Sequence, residues 1–211
     1  DLGVCLLDIG SGTMDLSVFV HGSIRHTVVI PIAGNHITQD IARAYQIPSR
    51  EAEAIKQSHG CALTALADPN QKIELQSIQS RQRKPELLSV QHLAQTIESR
   101  VEEIFGFAQK ELRFSGYQDH VSSIVITGGA SLMTGMVELA EEIFHLPVRL
   151  GVPDYHGGLA EVVRSPKLSV ATGLLFLGQK VRTEHGLSGG SGGGLVGKFT
   201  RVLAWIKNSF S

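Results

Sequence analysis

Three short stretches of this chain carry residue types suited to holding a polyphosphate and a nucleoside. The first is Asp8-Ile9-Gly10-Ser11-Gly12-Thr13-Met14-Asp15. Its glycines let the backbone approach an anion closely and turn N–H groups toward it, and the Thr13 hydroxyl adds a donor. Asp8, at the end of an apolar run, is placed to orient the water shell of a phosphate-bound Mg²⁺, because Mg²⁺ takes few carboxylates and keeps its waters. Asp15 reads equally as a turn residue that satisfies nearby backbone N–H groups. A glycine hairpin without any ligand has the same composition, and both readings stay open on these residues alone.

The second stretch, Gly128-Gly129 followed by Ala130, sits between an apolar run and a helical pattern. Ligands meet α/β sheets at such places, and bare backbone there lets a base or sugar lie flat. A tight strand–helix turn is the alternative. The third is Glu53 and Lys56, three apart on a short helix and so neighbours on one face. They suit a ribose hydroxyl and a base, or make an ordinary surface pair.

The elements that must position these residues follow from periodicity. Residues 2–9 and 15–20 are apolar runs joined by the glycine turn, a hairpin pattern, and Ser23 to Ile32 is a third strand-like run. Ile37, Ile41, Ala44 and Tyr45 recur at helical spacing, with Pro48 closing that helix and Ser49 capping the next over Arg50 to Ser58. A strand is expected at Lys72 to Ile78, and Arg81-Gln82-Arg83-Lys84-Pro85 reads as a solvated loop. Leu93, Ile97, Val101, Ile104, Ala108 and Leu112 form one apolar stripe on a helix of about 25 residues. Ser122 to Thr127 reads as a buried strand, and Met136, Leu139, Ala140 and Ile143 mark a helix stopped by Pro147. A short strand at Val148 to Leu150 and a final apolar helix near Leu168 to Val181 complete the expected globular part.

Composition removes several classes. The 211 residues carry 19 Lys+Arg against 20 Asp+Glu, a formal charge of −1, with 42 % hydrophobic residues. That balance argues against wholesale disorder and against a nucleic-acid-binding surface. The two cysteines, Cys5 and Cys61, lie in apolar runs without a CxxC, so buried free thiols and a reducing compartment are expected. The nine histidines show no metal-site spacing. No run of 18 apolar residues and no signal peptide is present, and the opening at Asp1 reads as the later part of a longer protein.

Residues 186–194, Gly-Leu-Ser-Gly-Gly-Ser-Gly-Gly-Gly, have the composition of a flexible tether with a reach of about 15–18 Å. Beyond it, residues 195–211 carry Lys198, Arg201 and Lys207 and no acid. On a helical wheel Leu195, Val196, Phe199, Val202, Leu203, Ile206 and Phe210 fall within about 120°, with Trp205 at the edge. This is the pattern of an interfacial helix, which buries its apolar face in a bilayer; docking on a protein groove is the alternative. With the tail's three cations set aside, residues 1–194 hold 16 Lys+Arg against 20 Asp+Glu, so an acidic domain carries a cationic tail.

In combination, DIGSGTMD, AEAIK and IVITGGASLMTGMVELAEEIF are similar, in that order, to the phosphate and adenosine motifs of the actin/Hsp70/sugar-kinase ATPase fold. The stretches IRHTVVIPIAGNHITQDIA, EAEAIKQSHGCAL and VATGLLFLG, over essentially residues 1–182, further resemble the second half of the FtsA family of bacterial cell-division proteins.

That resemblance implies an α/β fold. A ribonuclease-H-like subdomain would be made from residues 1–36 and 121–182, with a smaller α+β subdomain inserted at 37–120, a linker at 183–194 and a membrane-targeting helix at 195–211. It implies ATP and Mg²⁺ as ligands, with Asp8, Gly10, Ser11, Gly12 and Thr13 facing the phosphates and, through water, the Mg²⁺. Glu53, Lys56, Gly128, Gly129 and Ala130 would hold the adenosine. The family's phosphate turn usually has three glycines; here Ser11 replaces the middle one, which keeps the N–H donor but is costly where φ is positive.

The other half of the cleft would precede Asp1, so residues 1–211 alone are expected to hydrolyse ATP weakly at most. The implied role is to polymerise on the cytoplasmic face of the inner membrane at the division site and to tether FtsZ filaments through the FtsZ C-terminal tail, alongside other divisome proteins. An ATPase or kinase of the same fold, Hsp70-like or sugar-kinase-like, is the alternative, as is an actin-like pilus-assembly platform. The basic amphipathic tail and the lack of a following substrate-binding domain favour the tether.

Overall fold

The computed structural model describes residues 3–75, 86–155 and 163–184. The RQRK run, the far end of the strand expected to reach Ile78, the glycine tether and the amphipathic segment lie outside the described residues.

The first two apolar runs become β1 (Gly3–Ile9) and β2 (Met14–Val20), which pair antiparallel across the glycine turn. Side chains alternate across a strand, so Cys5, Leu7 and Ile9 of β1 and Met14, Leu16 and Val18 of β2 fall on one buried face. β3 (Ser23–Ile30) pairs with β2 at the sheet edge and stops two residues short of the expected run, at Pro31, which has no N–H to give a ladder.

The chain returns to this sheet as β6 (Val121–Thr127), parallel to β1, and β7 (Val148–Leu150), parallel to β6. The order is β3-β2-β1-β6-β7. Asp8 is thus flanked in register by Asp15 on β2 and Thr127 on β6. Because β1 and β6 run the same way, the turns that follow them, Gly10–Thr13 and Gly128-Gly129, leave the sheet at the same end.

Between β3 and β6 come α1 (Gly34–Ala44), α2 (Ser49–His59), the β4–β5 hairpin (Lys72–Leu75 and Glu86–Ser89) and α3 (Val90–Phe114). All six stripe residues of the long helix are buried, as expected from the spacing. Two boundaries differ from the sequence reading. Pro48, not Ser49, occupies the cap position of α2, and its fixed φ of −60° sets the entry angle while Ser49 becomes the first helical residue. α1 ends at Ala44 with Tyr45 as its cap, before Pro48 can act.

α4 (Met136–Phe144) packs on α3, with Phe105 and Phe144 edge to face at 5.8 Å between ring centres. His145, at φ +54°, ends that helix two residues before Pro147. Gln109 donates to the Ile143 carbonyl at 2.6 Å and Glu141 accepts from the Val148 N–H at 3.1 Å, so α3, α4 and β7 are held at a fixed spacing.

Arg100 of α3 clamps α1. Its Nη2 donates to Asp40 Oδ1 at 3.0 Å, its Nε to Asp40 Oδ2, and its Nη1 to Glu103. The Asp40 carboxylate, against a partial burial cost, keeps the Arg100 guanidinium more firmly protonated than usual. Both side chains of the clamp are about a quarter exposed, so solvent screens much of the attraction. Asp40→Ala is expected to lower unfolding stability by about 1 kcal/mol, read from the urea midpoint with an unchanged slope.

Both cysteines are buried free thiols, and burial pushes the Cys5 thiol up to about 12. The last described helix, α5 (Ser169–Glu184), runs three residues past the expected end at Val181 and takes in Thr183 and Glu184 of the expected linker. Its Leu174, Leu175, Phe176 and Leu177 are exposed, although an apolar helix completing the globular part was expected here. Four consecutive apolar residues cover every side of a helix, so no single face can bury them. Contacts divide the chain into Asp1–Thr172 and Gly173–Ser211, with the boundary inside this helix. Among the described residues no helix is long and apolar enough to cross a membrane.

Candidate functional site

The two glycine turns and the Glu53–Lys56 pair meet at one cavity of about 410 Å³ in the first unit. Its walls include Gly10 and Ser11 of the first turn, Glu53 and Lys56 of α2, and Gly129 and Ala130 after β6. Gly34, Asn35, Met133 and Lys167 also line it. The volume falls in the range of small-molecule sites, and the wall mixes backbone amides, two cations, a carboxylate and flat glycine backbone.

The first turn is built by one internal bond, Gly10 N–H to the Thr13 carbonyl at 3.0 Å. That donor is spent within the turn, so the Gly10 N–H is not offered to an anion, and Ser11, Gly12 and Thr13 carry the remaining N–H groups. Neither Gly10, Ser11 nor Gly12 has a positive φ, so serine at the middle position costs nothing in backbone strain. The exposed Gly12 and Thr13 sit on the turn beyond the cavity wall.

Asp8 also lies behind the wall, half-buried. Burial, and then the charge of Asp15 on the neighbouring strand, push its carboxyl above the usual range. One carboxylate with a second across the strand suits water-mediated Mg²⁺, which needs few protein ligands. Among the described residues no group of three acidic, His or Cys side chains could hold an ion directly.

Gly128 and Gly129 do different things. Gly128 has φ +89°, and a Cβ there would lie 2.4 Å from both Asp8 Oδ1 and the Ile9 carbonyl oxygen. It is glycine so that β6 can turn against the end of β1, and it does not line the cavity. Gly129 has ordinary helical angles, φ −64° and ψ −36°, and a Cβ there would meet only Lys167 Cγ at 3.7 Å. Its bare face is the one turned to the cavity.

Glu53 and Lys56 are paired at 2.7 Å, with the Lys56 side chain 9 % exposed. Lys56 Nζ also donates to the Gly34 carbonyl at 3.0 Å and to Thr38 Oγ1 at 2.8 Å. Thr38 Oγ1 lies 2.5 Å from Glu53 Oε2, and Gln57 Nε2 donates to Glu53 Oε1 at 2.8 Å. Partial burial raises the Glu53 carboxyl, but the hydrogen bonds from Lys56, Thr38 and Gln57 and the Lys56 charge together hold it below the usual range. It is a committed carboxylate, more than the surface pair that i,i+3 spacing alone would allow.

Sequence reasoning missed Gly34, Thr38 and Lys167. Gly34 lies among all three motifs: a Cβ there would sit 3.2 Å from the Gly10 carbonyl oxygen, 3.5 Å from Ala130 Cβ and 3.6 Å from Lys56 Nζ. Its N–H donates to the Gly10 carbonyl at 3.1 Å, and the Asn35 N–H to that of Ser11 at 2.7 Å. The Ala33-Gly34 pair ahead of a helical pattern was the available signal. Lys167 precedes α5 in a segment without periodicity, and its ammonium has no partner among the described residues.

The family model described as Cell division protein FtsA matches residues 5–173. FtsA of Pseudomonas aeruginosa is 46 % identical over 217 residues, which is all of this chain and 52 % of the relative. FtsA of Neisseria meningitidis is 43 % identical over 218 residues, again all of this chain and 52 % of the relative. That of Escherichia coli K12 is 42 % identical over 188 residues, 85 % of this chain and 44 % of the relative. The chain therefore spans about half the length of these relatives.

MreB5 of Spiroplasma citri, solved bound to ADP, superposes with a TM-score of 0.64 at 20 % identity over 89 % of this chain and 56 % of that one. The MamK double helical filament gives 0.61 at 19 % identity over 83 % and 54 %. These likenesses make the α/β fold actin-like, as the sequence motifs implied. With the family match over most of the chain, they lead to one statement: this chain belongs to the FtsA family of cell-division proteins.

Proposed function

We propose that this chain is the nucleotide-binding, membrane-attached half of an actin-like adaptor that polymerises at the division site and tethers FtsZ filaments to the membrane. The observation that carries the nucleotide part is the single cavity shared by the Gly10–Ser11 turn, the Glu53–Lys56 pair and the Gly129–Ala130 backbone. Adenosine diphosphate in the MreB5 neighbour and the filament form of MamK support nucleotide binding and self-assembly.

In this reading the amides of Ser11, Gly12 and Thr13 receive phosphate oxygens. Glu53 accepts from ribose hydroxyls, and the base lies along Gly129 and Ala130. Lys167, which lines the cavity with no partner among the described residues, adds attraction for an anionic ligand. Asp8 orients the water shell of Mg²⁺, which when bound neutralises phosphate charge. Residues 1–36 and 121–182 act as one subdomain and 37–120 as the other, with the FtsZ tail docking on the smaller one. Residues 195–211, through Phe199, Trp205 and their apolar neighbours together with Lys198, Arg201 and Lys207, attach the protein to an anionic inner membrane.

Reconstitution tests the whole reading. With the intact protein, ATP and anionic vesicles, FtsZ is expected to sediment with the vesicles, to stay in solution when residues 195–211 are deleted, and to provoke little phosphate release. Rapid ATP turnover with no recruitment of FtsZ would favour the enzyme of the same fold instead.

A further inference from the structure

The nucleotide reading assigns the α2 pair to the ligand, yet in the structure that pair is held from outside the cavity by a residue of α1. Thr38 is buried at 7 % exposure and does not line the cavity. Its hydroxyl accepts from Lys56 Nζ at 2.8 Å and stands within hydrogen-bond distance of Glu53 Oε2, at 2.5 Å, and of the Gly34 carbonyl, at 3.2 Å. A hydroxyl has one proton to give and two lone pairs to accept with, and an ammonium has three protons. Lys56 spends all three on Glu53, Thr38 and Gly34. Neither charged group is free to swing, and among the described residues Thr38 is the one partner outside α2 whose side chain meets both.

The same residue joins the two ends of the cavity. Gly34, whose carbonyl receives Lys56, sends its own N–H to the Gly10 carbonyl, and Asn35 sends its N–H to that of Ser11. The first turn of α1 is therefore a bracket between the phosphate turn and the α2 pair. Thr38, one helical turn on, closes the bracket across to α2: its single proton goes to the nearer Glu53 carboxylate and its oxygen receives Lys56.

We propose that Thr38 is a positioning residue that holds the Glu53–Lys56 pair in the orientation required to receive the nucleoside part of the ligand, a role that rests on the nucleotide reading above. Thr38 touches no ligand. It keeps Glu53 ionised and aimed, and it keeps Lys56 from reaching into the cavity as a loose cation. A valine there preserves shape and burial but deletes every hydrogen bond of the hydroxyl, whereas a serine keeps them and loses only a methyl group.

The test uses the intact protein as wild type, Thr38→Val and Thr38→Ser, with ATP and inorganic tripolyphosphate as probes. Thr38→Val is expected to weaken ATP binding about tenfold, to leave tripolyphosphate binding within about twofold, and to raise the Glu53 carboxyl titration followed by ¹³C NMR. Thr38→Ser is expected to restore all three to near wild type. Equal ATP affinity for wild type and Thr38→Val would overturn the positioning role and leave the nucleotide reading standing. Equal damage by valine and serine would overturn it too, since it would assign Thr38 to packing alone. Should wild type bind tripolyphosphate but not ATP, the nucleoside reading falls and takes the ligand role of Thr38 with it. An unmoved Glu53 titration in Thr38→Val would separately refute the hydrogen-bonded link.

Discussion

Gly128→Ala is expected to cost about 3 kcal/mol of unfolding stability, while Gly129→Ala, its neighbour, changes stability by less than about 0.5 kcal/mol. The contrast comes from backbone geometry. At Gly128 φ is +89°, a conformation that costs an L-residue about 1–2 kcal/mol, and the new Cβ would lie 2.4 Å from the Ile9 carbonyl oxygen, which is main chain and cannot rotate away. Relief requires the ends of β1 and β6 to part, where β1 carries Asp8 and leads into the Gly10–Thr13 turn. At Gly129 the angles are those of an ordinary helix, and a Cβ would make one ordinary van der Waals contact, with Lys167 Cγ at 3.7 Å. Urea midpoints of the two variants read the difference directly. Equal destabilisation would mean that the turn after β6 is not built against β1 as described.

The second large effect is expected in the tail. Replacing Phe199 and Trp205 with Glu removes two aromatic rings from the face read as membrane-inserted. Burying each ring contributes about 1.5–3 kcal/mol, so the pair should lower partition to anionic vesicles more than a hundredfold. The three basic residues add about 1 kcal/mol each near an anionic surface, and that share fades as salt rises. Sedimentation with anionic vesicles should therefore vanish for the double variant and decline with salt for wild type. Pelleting that survives both changes would sink the membrane role of residues 195–211.

Long-period patterns were the most legible part of the sequence. The stripe from Leu93 to Leu112 landed whole on a buried helix face, and of Met136, Leu139, Ala140 and Ile143 the first three did, with Phe144 buried and Ile143 only partly so, because many residues vote on one phase. The β-β-β-α order was legible for the same reason. Short elements were not. β5, only four residues long, follows the RQRK-Pro run, where polarity outweighs the pattern. Ser49 was expected as a cap on its residue type, but the chain geometry set by Pro48 decided the position.

At the site, the motifs named the glycines and the charged pair but not the contacts that fix them. Thr38 looks like an ordinary helix residue in sequence; its importance comes from α2 packing across α1, a contact with no local signature. Gly128 and Gly129 look alike in sequence, and only the register of β6 against β1 separates a packing glycine from one that faces the cavity. The exposed apolar run of α5 shows the reverse limit: hydropathy marks a segment as seeking cover without saying what provides it.

The proposed nucleotide site is one cavity, walled by Gly10, Glu53, Lys56 and Gly129. Its most direct test is calorimetric titration of ATP into the intact protein and into Gly129→Leu, which fills the cavity where the backbone tolerates a side chain. Binding by wild type, with at least about a tenfold loss in the folded variant, is the predicted result. Undiminished ATP binding by folded Gly129→Leu would contradict it.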